Sequence, residues 1–120
     1  MNHKDLDVWK KGMDLVELVY NVTSNFPDSE RFGLTSQMRR ASISIPSNIA
    51  EGSARKSNKE FYQYISIALG SLAELETQYL ISVRLNFVNE DEQLVSAIKE
   101  QKQLLIGFRN HIKKHLTTNF

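Results

Sequence analysis

The chain has 120 residues, of which 41% are hydrophobic and 24% charged, with a formal net charge of +1. That size and balance suit one globular domain around one core and exclude disordered and membrane-embedded classes. With no cysteine, disulfides, thiolate metal sites and thiol nucleophiles are all excluded, and a cytoplasmic setting is expected.

The N-terminal residues lack the apolar run of a secretory signal, and no stretch approaches the roughly 18–20 apolar residues of a membrane span. A pI near 8.0 lies below the roughly 9 typical of domains that hold nucleic acid by bulk charge. Any nucleic-acid surface must therefore be a local patch.

The apolar spacing predicts a first helix over residues 6–24. Trp9, Met13, Val16 and Tyr20 form one stripe. Val8, Leu15, Val19, Val22 and Phe26 form a second, rotated by about 100°. Asn25-Phe26-Pro27-Asp28-Ser29 reads as a turn. A second helix is predicted over 29–54, with Leu34, Met38, Ala41, Ile45 and Ile49 on one face.

The stretch from Arg39 to Lys56 is unusual. It holds β-branched residues, four serines and Pro46, which gives poor helix propensity. Pro46 frees the carbonyl of Ser42 and predicts a kink. Ser42 and Asn48 lie on or near the core face and need hydrogen-bond partners if buried. Glu51 and Arg55 are spaced to pair one helical turn apart. Four cations (Arg39, Arg40, Arg55, Lys56) against one acid (Glu51) give this stretch a local charge of +3. Two readings follow. The four cations could form a phosphate-binding stripe. Alternatively, Ser44, Pro46, Asn48 and Glu51, with Gly70 and Glu74 of the next helix, form a polar network that fixes register and subunit packing.

Ser57-Asn58-Lys59-Glu60 has the capping-box pattern and opens a third helix over 58–86. Its main face carries Phe61, Ile65, Ala68, Leu72, Leu75 and Tyr79, while Ile67, Ile81 and Leu85 lie on another side. Gly70 costs a helix about 1 kcal/mol, so a close helix approach is expected there. Asn89-Glu90-Asp91-Glu92 supplies an Asn cap and acids for a fourth helix over 90–116. Its stripe is Leu94, Ile98, Leu105, Phe108 and Ile112.

Short connections make sequential helices antiparallel neighbours. The expected fold is all-α, an antiparallel up-down-up-down four-helix bundle forming a single domain over residues 1–120. Helices 1 and 3 carry more apolar surface than one core needs. This assigns Val8, Leu15, Val19, Val22, Ile67, Ile81 and Leu85 to an oligomer interface; scattered surface aliphatics are the plainer alternative.

Chemistry-bearing motifs are sparse. There is no nucleophile elbow, no phosphate-cradling loop and no Glu-x-x-His pair; Ser53-Ala54-Arg55-Lys56 matches S-x-x-K only over four residues. His111 and His115 share a helix face, but Lys113 and Lys114 beside them oppose a divalent ion. No metal and no cofactor are expected. Arg109-Asn110 with His115 resembles the motif of HEPN-type helical ribonucleases, in which two chains complete one site. Here Arg109 and His115 are about 240° apart on the helix, so one chain cannot present both on one face. The reading is a non-enzymatic, self-associating bundle. The alternatives are a helical ribonuclease and a protein–protein adaptor.

Several segments carry a resemblance. They are Asp5-Leu6-Asp7-Val8-Trp9, Phe26-Pro27, Glu30-Arg31-Phe32-Gly33-Leu34, Gln37-Met38-Arg39-Arg40, the run from Ser44 to Gly52, and Ala68 to Glu76. Together they resemble the bacterial four-helix-bundle family of 23S rRNA intervening-sequence proteins over about residues 5–88. The resemblance implies a bundle assembled as a homopentameric ring. It is also similar in fold to accessory variability proteins of diversity-generating retroelements, which bind nucleic acid and a reverse transcriptase. The partners so implied are copies of the chain itself, RNA or DNA, and another protein; no membrane partner is expected.

Overall fold

The computed structural model describes residues 2–115, without the side chain of His115. Four α-helices account for most of it: α1 (Asp7–Thr23), α2 (Leu34–Ser53), α3 (Asn58–Arg84) and α4 (Glu92–His115). Short 3-10 turns at His3–Asp5 and Asp28–Glu30 precede α1 and α2. No strand occurs among the described residues.

Local chemistry sets the helix ends. At α3 the Ser57 hydroxyl accepts from the Glu60 amide at 3.1 Å, the N-cap half of a capping box, while the Glu60 carboxylate accepts from the Ser57 hydroxyl at 3.2 Å. At α4 the cap is Asp91, not Asn89: its Oδ1 accepts from the Leu94 amide at 2.9 Å, and its own amide donates to the Tyr79 hydroxyl at 2.7 Å. The second helix starts at Leu34, five residues later than the sequence predicts. Glu30 reaches forward to take the Leu34 amide at 3.1 Å, so the intervening residues form a turn.

Helices adjacent in sequence pack side by side, and α4 packs on α1; among the described residues the diagonal pairs make no comparable approach. Contacts along each neighbouring pair run in opposite order. Thr23 meets Arg39 while Gly12 meets Pro46. Ser44 meets Ser71 while Gly52 meets Phe61. Tyr79 meets Asp91 while Phe61 meets Phe108. These pairings are consistent with an up-down bundle, and the described chain measures 49 × 24 × 21 Å. The core is closed by Leu15, Val19, Met38, Ile45, Ile65, Leu75, Leu94 and Leu105, all fully buried.

Two expectations are corrected here. Val8, Leu15, Val19 and Val22 do not face outward. They are buried in the core of their own chain. The reason lies in Gly12, which shares their stripe. A Cβ at Gly12 would stand 3.4 Å from the Gln101 amide nitrogen and 3.5 Å from the Pro46 ring, so this is the face on which α2 and α4 close. The second correction concerns Gly70. Nothing lies within 4 Å of where its Cβ would be. The close approach occurs at Gly52 instead, where a Cβ would come within 2.7 Å of Tyr64 Cβ and 2.8 Å of Phe61 Cδ1.

Candidate functional site

The outer seam between α2 and α3 gathers most of the polar residues singled out in the sequence. Pro46 sits inside α2 without ending it and is buried against α1. Side chains on either side of it bond to carbonyls of their own helix. Ser42, fully buried, donates to the Arg39 carbonyl at 2.8 Å. Asn48, half-buried, donates from Nδ2 to the Ser44 carbonyl at 2.7 Å and to the Ser44 hydroxyl at 2.9 Å. The Ser44 and Ser71 hydroxyls share a hydrogen bond of 2.8 Å across the seam. Asn48, Ser44 and Ser71 thus form one continuous polar ladder joining α2 to α3.

Glu51 and Gly70 stand outside that ladder. Glu51 is exposed, and Arg55 turns away from it to donate to the Tyr64 hydroxyl at 2.6 Å, with its guanidinium 5.0 Å from the Tyr64 ring centroid. Glu74 is exposed and lines a cleft of about 480 Å³ with Phe32, Ser36, Gln37, Arg40 and Gln78, one helical turn beyond Ser71.

The four candidate cations do not form one stripe. Arg39 points into the α1–α2 seam. Its Nε donates to the Thr23 hydroxyl at 2.9 Å and its guanidinium lies 4.4 Å from the Tyr20 ring centroid. Arg40, the next residue, points to α3. Consecutive helical residues diverge by about 100°, which a charge count does not register. Arg55 and Lys56 sit at the far end of α2, about 20 Å along the axis. The sequence-level +3 is therefore divided among three places.

Apolar surface remains on several sides, with Val95 and Ile106 exposed on α4. Trp9, Met13, Val16, Ile43, Pro46, Ser47 and Ala50 line a groove between α1 and α2. On α3, Ile67, Ile81 and Leu85 are exposed, Leu85 at 54%.

At the α3–α4 seam, Arg109 donates to the Ser66 hydroxyl at 3.3 Å and lies 5.5 Å from the Tyr62 ring centroid. Its expected partner in cleavage, the His115 side chain, lies outside the described residues, as does the His111–His115 pair. Sequence reasoning also missed Gln101, which is 1% exposed and donates to the Val8 carbonyl at 2.8 Å. Only its position on the buried face of α4, one turn below Leu105, could have flagged it.

Lys11 and Glu100 form an ion pair of 3.1 Å between α1 and α4, both about half-exposed. The hydrogen bond and charge of Glu100 raise the Lys11 pKa above its ordinary value. Such a solvated pair contributes little to stability.

No helix of the described residues is long and apolar enough to cross a membrane. A family model described as 23S rRNA-intervening sequence protein matches residues 4–107. No curated protein matches the chain.

Proposed function

The chain belongs to the 23S rRNA-intervening sequence protein family, and on that premise we propose that it is a non-enzymatic scaffold, an antiparallel up-down-up-down bundle that self-associates and touches RNA or DNA weakly. The observation that carries the self-association is the apolar surface left over once the core is closed. Met13, Tyr20 and Ile43 stay exposed on the α1–α2 side, and Leu80, Ile81 and Leu85 at the C-terminal end of α3; Ile67 is exposed too, but it lies about 20 Å from them, beyond Glu74 and Gln78. Isolated soluble chains rarely expose such patches in clusters. The two faces are unlike, so a contact between them is heterologous, and a heterologous contact repeated around an axis closes into a ring. Family resemblance suggests five copies. The opposite running order of contacts along neighbouring helices supports the up-down arrangement. A cysteine-free composition supports a cytoplasmic setting.

Sedimentation equilibrium at low protein concentration tests the assembly. The expected mass is a multiple of 13.8 kDa, and Met13→Glu with Ile43→Glu should reduce it to that of one folded chain. A wild-type monomer would refute the proposal. A variant that keeps its mass would refute the choice of face.

A further inference from the structure

We infer that the cleft between Phe32 and Gln78 seats one base of a single-stranded nucleic acid, stacked on the Phe32 ring. This rests on the nucleic-acid part of the reading above and gives it a location the sequence did not offer. Phe32 is 88% exposed, more than any other large apolar side chain described. Arg31 lies 5.4 Å from its ring centroid, and Arg40 lines the adjoining cleft. An exposed aromatic platform flanked by cations is the arrangement that binds single strands, through stacking and phosphate contacts.

The cleft supplies groups suited to a base edge. Ser36, Gln37, Glu74 and Gln78 line it. Gln78 is 7% exposed and its Oε1 is fully buried, so Ser36, Gln37 and Glu74 are the lining groups open to a base edge. Glu30, the acid nearest Phe32 in sequence, has one carboxylate oxygen committed to the Leu34 amide. A carboxylate such as Glu74 accepts from an exocyclic amine, which cytosine has and uracil lacks. The seat should therefore favour cytosine over uracil.

Fluorescence anisotropy with short fluorescein-labelled oligocytidine and oligouridine, at low salt and with the full chain, tests this. Ribo- and deoxyribo-oligomers run side by side identify the preferred backbone. Phe32→Ala should weaken binding about 5- to 100-fold, and Glu74→Ala should erase the preference for cytosine. In a Trp9→Phe background, Phe32→Trp should keep the affinity, and its emission should be quenched as the oligomer binds. Binding unchanged by Phe32→Ala but lost in Arg55→Glu with Lys56→Glu would overturn the seat and leave the nucleic-acid reading standing. No binding by the wild type would remove both. A drop in oligomer mass on Phe32→Ala, with oligomer affinity unchanged, would make the ring a protein contact and overturn the inference.

Discussion

The side-chain amide of Gln101 donates to the carbonyl of Val8 at 2.8 Å, joining residues 93 apart in the chain. The Oε1 of the same amide is buried and has no partner among the described residues. Gln101→Leu should therefore stay within about 1 kcal/mol of wild type, since it loses one bond and one unsatisfied atom together. Gln101→Glu should be worse, and increasingly so with pH. Burial holds a carboxyl there above its ordinary range. A raised folded pKa leaves stability intact below the unfolded value of about 4.3 and removes it as pH rises through the folded one. Urea midpoints across that range check the sign.

Gly52 and Gly70 should respond oppositely to alanine. At Gly52 the new methyl meets Tyr64 Cβ at 2.7 Å, and overpacking of this kind costs about 1–3 kcal/mol. At Gly70 the methyl meets nothing, and the gain in helix propensity should stabilise by up to about 1 kcal/mol. Paired denaturation curves of the two variants decide it.

Arg39 and Arg40 should separate stability from binding. Arg39→Ala removes the donor to Thr23 and the cation over Tyr20, with an expected loss of about 1–3 kcal/mol. Arg40→Ala should leave the denaturation midpoint nearly unchanged and flatten the salt dependence of oligonucleotide binding. If both variants lose affinity equally at equal folded fraction, the division of roles is wrong.

Leu15→Ala should cost about 2–5 kcal/mol, the usual loss for a leucine removed from a closed core. The surviving folded fraction should keep the wild-type mass in sedimentation. Loss of mass without loss of stability would return Leu15 to the interface.

The helices were legible because their signals are local. Ser57 and Glu60 are three residues apart, and the cap they form needs nothing else. The inward face of α1 was not. Its two stripes are similarly apolar, and the choice between them depends on Gln101 and Pro46 fitting against Gly12, contacts that sequence spacing does not contain. The polar ladder is half legible: Asn48 is marked as needing a partner and Ser44 as part of a polar network, but nothing in the spacing singles out Ser71, their link to α3. Phe32 escaped because an exposed aromatic and a buried one look alike in a turn.

The bonds made by α2 also have a mechanical consequence. Arg39 ties one flank of α2 to α1, the Ser44–Ser71 bond ties the other flank to α3, and Gly52 admits Phe61 and Tyr64 at its end. Rotation of α2 about its own axis strains both flanks at once, in opposite senses. The helix is thus fixed in azimuth like a keyed shaft. Its amides should exchange with solvent only when the whole bundle opens, and not through a separate excursion of α2.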